Sequence, residues 1–172
     1  IFKTVRSRAI WLGANLGTAF LASAVINIFE DTIEKVVALA ILMPIVASMG
    51  GVAGSQTLTL AIRSEALGQL VDSNQIWLIK RELAVGAING FVWAAIVAAA
   101  ATIVFDDMLL GGIIASALII NLLIAALAGA VLPGVLKSIG ADPAISGSVV
   151  LTTITDVVGF MSFLGLASFF YA

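Results

Sequence analysis

The sequence contains no cysteine and no histidine. Disulfides, thiolate nucleophiles and imidazole acid–base catalysis are therefore excluded, as are the usual zinc and copper ligands, and any bound metal must be met by oxygen. Charge is scarce too: Asp, Glu, Lys and Arg together supply 10% of the residues, against 62% that are hydrophobic. At a mean hydropathy of +1.20, this much apolar surface has no place in a water-soluble domain, which at this size still exposes about 30% of the surface of its unfolded chain. The solvent for most of this chain is a bilayer. Low-complexity segments and internal repeats are also missing. No nucleophile stands with a base in the apolar segments, so an enzyme is not expected.

What is present is a series of apolar stretches, each long enough for the roughly 20 helical residues that cross a membrane. They run over 9–29, 36–62, 83–105, 108–136 and 144–172. The reading is an all-α integral membrane protein with five transmembrane helices per subunit, forming a single transmembrane pore domain over 1–172. A chain that enters the membrane directly behind a basic cluster, without a leading methionine, is expected to be the membrane part of a longer protein and not one led by a signal peptide.

An odd number of spans puts the termini on opposite sides, and the basic residues decide which. With the amino end cytoplasmic, Lys3, Arg6, Arg8, Arg63, Lys80, Arg81 and Lys137 lie inside, and of the 8 basic residues only Lys35 lies outside. Glu30, Asp31, Glu34, Asp106 and Asp107 then form an acidic outer rim, which either concentrates cations or merely solvates the helix ends. The connector over 63–82, with Gly68, Asp72, Ser73 and Asn74, is expected on the cytoplasmic face. The multi-pass chain thus belongs in the cell membrane, its carboxyl end extracytoplasmic.

Asp156 is the one charge inside a predicted span. Holding it at mid-membrane costs about 2.5–3.5 kcal/mol on insertion scales, so it requires a partner or a water-filled cavity, and an ion pathway is the default hypothesis. Ser148 and Thr152 stack on it at intervals of four, flanked by Thr153, Thr155 and Gly159. The second span carries a second polar face. There, Pro44 and the run Gly50-Gly51-Val52-Ala53-Gly54-Ser55-Gln56-Thr57 are expected to interrupt the helix, and Pro44, Ser48, Gly51, Ser55 and Thr59 share one side of it. Two such stripes suit a wet path lined by oxygen ligands. The competing reading is that the hydroxyls only bond back to their own helices or glue neighbours together.

Weaker signals surround these. Gly13 with Gly17, Gly50 with Gly54 and Gly86 with Gly90 have the spacing of close helix packing. Asn15, Asn27, Asn89 and Asn121 lie within or at the ends of apolar spans, and most of them are read as interhelical hydrogen-bond glue and not as ligands. Trp11 and Trp77 fit an interfacial aromatic belt, and Trp93 is expected to pack in the interior.

Three segments together, MPIVASMGGVAGSQTLT over 43–59, KRELAVGAING over 80–90, and 137–160 with its DPA and TDVVGF, resemble the membrane domain of the MgtE family of magnesium channels. The resemblance implies a homodimer of five-helix subunits whose cation pore runs along the dimer axis between the second and fifth spans. It also implies an N-terminal cytosolic sensing region with CBS domains. By the same resemblance Asp156 matches the conducting-site aspartate, Thr152 lies one turn before it, and Gly51, Ser55 and Thr59 match pore-facing positions. The family's GGNAG reads GGVAG here, with Val52 in place of the amide.

Charge supplies an independent reason for two copies, since one carboxylate cannot balance a divalent ion and a two-fold axis brings a second Asp156. Mg²⁺ sheds water reluctantly, so a sparse oxygen site suits it; Mn²⁺, Co²⁺ and Ca²⁺ accept oxygen equally. The alternatives at this level are a proton- or sodium-coupled secondary transporter using Asp156 as the coupling site, and a non-transporting subunit that pairs Asp156 with a partner's base.

Overall fold

A computed structural model of the chain describes residues 2–69 and 74–171. Asp72 and Ser73 of the expected connector, and both terminal residues Ile1 and Ala172, lie outside the described residues. Within them there are six helices and no strand: α1 Phe2–Ile28, α2 Glu30–Lys35, α3 Ala38–Ala66, α4 Gln75–Phe105, α5 Met108–Ser138 and α6 Pro143–Phe170. Five of these, all but α2, are long and apolar enough to cross a membrane. The expected all-α, five-span class is what the chain adopts.

Local chemistry sets the helix ends. Asp107 caps α5, its carboxylate accepting from the Leu110 N–H at 3.0 Å, and Asp142 caps α6 in the same way through Ala144 N–H at 2.9 Å. The Asp142-Pro143-Ala144 triplet is thus a helix start, with the proline at the position where a missing N–H costs nothing. α4 ends on Asp106, whose φ of 52° is left-handed and turns the chain into α5. In α2, Glu30 and Asp31 occupy the first turn and Lys35 the last, the order that complements the helix dipole.

α3 runs unbroken through Pro44 and Gly50–Gly54. The interruption expected there is therefore one of polarity and not of backbone. A proline removes one hydrogen bond while the rest of the ladder persists, and the two glycines of the run at spacing four serve packing. Gly50 and Gly159 flank Asn121 so closely that a Cβ on either would collide with its amide. That space lets the fully buried Asn121 of α5 donate to the Val46 carbonyl of α3 at 2.9 Å.

α5 is the centre of the bundle. More than half of its most apolar window is buried, and it packs on α3, α4 and α6. It also lies close against α3 at Gly129, where a Cβ would stand 2.7 Å from the Gly54 carbonyl oxygen and 2.8 Å from the Thr57 Cβ. The core beside it contains Leu39, Val46, Ile114, Leu118 and Phe163. α1 packs chiefly on α6 and is the least buried span; accordingly, among the described residues a Cβ at Gly13 or Gly17 would meet nothing within 4 Å, whereas Gly86 approaches Ala126. Trp93, expected to pack, is 44% exposed within a single chain.

Candidate functional site: a groove between α3 and α6

α3 and α6 together line an open groove of about 780 Å³. All five residues singled out from the sequence line it: Gly51, Ser55 and Thr59 from α3, Thr152 and Asp156 from α6. Ser48 and Arg63 extend the α3 wall in the same register, and Val52 also lines the groove. Pro44 is absent from the lining, and Ser148 faces a neighbouring cleft of about 520 Å³ between α1 and α6, which Arg8, Trp11 and Asn15 share. Thr152 borders both cavities.

The hydroxyls are oriented by their own helices. Ser55 donates to the Gly51 carbonyl at 2.7 Å, and Thr152 donates to Ser148 and Val149 carbonyls at 2.9 and 3.1 Å. This back-bonding is the bland outcome the sequence allowed, but it consumes only the proton. Each oxygen keeps lone pairs for a cation or for a water that hydrates one. Thr153 and Thr155 bond back in the same manner; Thr155 is fully buried and does not reach the groove.

Asp156 is half-buried. Among the described residues it forms no hydrogen bond and no ion pair. A carboxylate in this position borders the groove, and no described residue pairs with it. No cluster of three or more acidic side chains accompanies it among the described residues.

A second membrane carboxylate escaped the sequence reading. α4 begins eight residues before Leu83, where the third span was expected to start, and carries Lys80, Arg81 and Glu82 as helix. Glu82 is only 5% exposed. It accepts a hydrogen bond from the Thr57 hydroxyl of α3 at 3.1 Å, and Arg81 stands 3.9 Å away. Gln56 lines both the groove and the small cavity over Glu82. The signal was available: Leu78, Glu82, Gly86 and Gly90 recur at intervals of four, so extending the glycine stripe backwards reaches Glu82.

Four basic residues, Arg8, Arg63, Arg81 and Lys137, gather at one end of the bundle, away from Lys35 of α2. Arg8 lies beside the start of α6, Arg63 and Arg81 lie at the adjoining ends of α3 and α4, and Lys137 pairs with Glu65 at 2.5 Å across the ends of α5 and α3. At the opposite end Tyr171 donates to Asp107. That bond is the leading cause holding the Asp107 carboxyl below the usual carboxylate range, followed by the Leu110 N–H; burial, followed by Asp107, pushes the Tyr171 phenol upward.

The comparisons with known proteins bear on this groove. A family model described as "MgtE: Divalent cation transporter" matches residues 43–166, which include every groove residue named above. The chain belongs to the MgtE family. It is 32% identical over 163 residues to "Magnesium transporter MgtE" of Bacillus subtilis, covering 95% of this chain and 36% of that protein. The protein of the same name from Thermus thermophilus is 30% identical over 162 residues, with 94% and 36% covered. A third, from Enterococcus faecalis, is 27% identical over 168 residues, with 98% and 37% covered. The chain thus spans little more than a third of the length of these MgtE relatives. Transport is the activity named in the descriptions of the family and of these relatives.

Proposed function

We propose that two copies of this chain form a channel that conducts Mg²⁺, with the α3–α6 grooves face to face about a two-fold axis and the paired Asp156 carboxylates as the central cation site. The observation that carries the proposal is Asp156: half-buried in an open groove, free of any cationic partner among the described residues, and level with a helix face of hydroxyls. Lipid cannot satisfy such a surface, and an isolated copy would expose it at membrane depth. A second copy closes the groove and supplies the second negative charge that a divalent ion requires.

Two carboxylates and a few hydroxyl oxygens are too sparse to strip Mg²⁺ of its water. They attract the hydrated ion and orient its shell through Thr152, Ser55, Thr59 and the backbone at Gly51, and the loose hold permits exit. Mn²⁺, Co²⁺ and Ca²⁺ would be met by the same oxygen chemistry. The basic end of the bundle faces the cytoplasm. The length that the MgtE relatives have beyond this chain leaves room for the cytosolic sensing domains that the resemblance implies.

The test is Mg²⁺ uptake into liposomes by wild type, Asp156→Asn and Thr152→Ala. Asp156→Asn should abolish flux while leaving a folded dimer, since it removes attraction and breaks no pair. Thr152→Ala should lose only part of the flux. Uptake by the folded Asn variant at the wild-type rate would end the pore-site reading. Wild-type flux should also ignore an imposed proton or sodium gradient; flux driven by either would instead establish a coupled transporter.

A further inference from the structure

The stripe of α3 that lines the groove does not stop at Thr59. One turn further, at the same interval of four that separates Ser55 from Thr59, it presents Arg63, and Arg63 borders the same cavity as Asp156. A guanidinium is permanently charged. Its placement on the wall of a cation path is the reverse of what attraction would select. We propose that Arg63 is a charge barrier at the cytoplasmic mouth of the groove, which disfavours cation entry from that side and makes conduction asymmetric in the inward direction. The inference rests on the dimeric pore proposed above, in which two copies of Arg63 ring the mouth.

Three observations support it. Arg63 is exposed, and among the described residues it has no ion-pair or hydrogen-bond partner through its side chain. Glu65, the acid two positions on, is engaged by Lys137 at 2.5 Å and does not neutralise it. The register is fixed by a continuous helix, so the charge cannot leave the stripe without unwinding α3. The effect must scale with ion valence: a mouth potential of about one thermal unit lowers the local concentration of a monovalent cation roughly threefold and of a divalent cation roughly sevenfold. Exposed charge is also screened, over about 10 Å in 0.1 M salt and about 3 Å in 1 M salt. Outward flow, which must begin beside Arg63, is penalised; inward ions meet the charge only on leaving.

The experiment is Mg²⁺ current in excised membrane patches holding the full native polypeptide, with equal Mg²⁺ on both faces and either polarity applied. Wild type should pass inward current more readily than outward, and the asymmetry should shrink when bulk salt is raised. Arg63→Gln should raise outward current several-fold with little change inward, Arg63→Lys should preserve the asymmetry, and Arg63→Glu should reverse it. Unchanged melting temperatures across the series would show that the fold is intact, as exposure of the side chain leads one to expect. A Gln variant with the wild-type ratio of outward to inward current overturns the barrier, as does a charge series that fails to follow sign. The Asp156→Asn control separates the two failures. Loss of current there with an unchanged Arg63→Gln ratio rejects the barrier alone, whereas full current in Asp156→Asn rejects the pore and the barrier with it.

Discussion

Glu82 offers the sharpest test of how the groove is held in place, because two substitutions at one position should behave in opposite ways. Glu82→Ala removes the acceptor of the Thr57 hydroxyl, a group that is itself only 7% exposed. An orphaned buried hydroxyl costs about 1–3 kcal/mol, and the lost methylenes leave a small void worth about 1 kcal/mol more. Thr57 can recover part of this by turning to a carbonyl of its own helix. The net expectation is a loss of about 2–3 kcal/mol, or roughly 5–10 °C in melting temperature for a chain of this size. Glu82→Gln keeps the carbonyl oxygen that Thr57 needs and removes a buried charge whose nearest cation, Arg81, is 3.9 Å away and half-exposed. So loose a pair contributes little, and relieving the desolvated charge offsets it. The Gln variant should melt within about 1 kcal/mol of wild type. Thermal unfolding in detergent, followed with the α3 groove variants as references, measures both. A Gln variant as unstable as the Ala variant would refute the reasoning, because the charge and not the acceptor oxygen would then be what the fold requires.

Other consequences are open to measurement. Gly129→Ala should destabilise by about 1–3 kcal/mol and reduce Mg²⁺ flux, since the added methyl meets the Gly54 carbonyl and the Leu58 nitrogen at 2.7 and 3.0 Å and must push α3 away from α5; a variant that melts like wild type would show that the seam has slack. Because the folded Asp107 carboxyl lies below its ordinary value, its contribution is complete above about pH 4 and is lost as pH falls through the folded value. Tyr171→Phe should flatten that acid limb of the melting curve, and an unchanged limb would detach the tyrosine from it. Cysteines placed at Asp31 and Asp107 of this cysteine-free chain should react only with reagent added outside the cell; labelling from the cytoplasm alone would invert the topology.

The spans were legible because hydropathy over 20 residues integrates many small preferences, and Asp156 stood out because a single charge breaks that sum. The two groove stripes were legible for a related reason: helical periodicity alone places Gly51, Ser55 and Thr59 on one side of α3, and Thr152 with Asp156 on one side of α6. Glu82 was hidden by its neighbours. Lys80, Arg81 and Glu82 read as a polar connector, and hydropathy cannot tell which member of a charged triplet points inward; only the packing stripe of Leu78, Gly86 and Gly90 could. Pro44 misled in the other direction, since a residue that breaks short soluble helices is accommodated in a long one whose remaining ladder stays intact. Ser148 shows the limit of periodicity: it is in register with Thr152, yet the neighbouring α1 claims its side of the helix.

The one-sided seating of α1 has a consequence for how the chain reaches its final form. Four spans, α3 to α6, are tied together around α5 by reciprocal packing, whereas α1 leans chiefly on α6. Cooperativity follows contact, so the four-helix body opens as one unit and α1 forms a second, weaker unit with its own equilibrium. Among these five spans α1 enters the bilayer before the other four, but the surface it chiefly packs on, α6, is the last of the five to be made. Of the five, the earliest made is therefore the last seated, and it waits in lipid as a separate helix while the other four assemble.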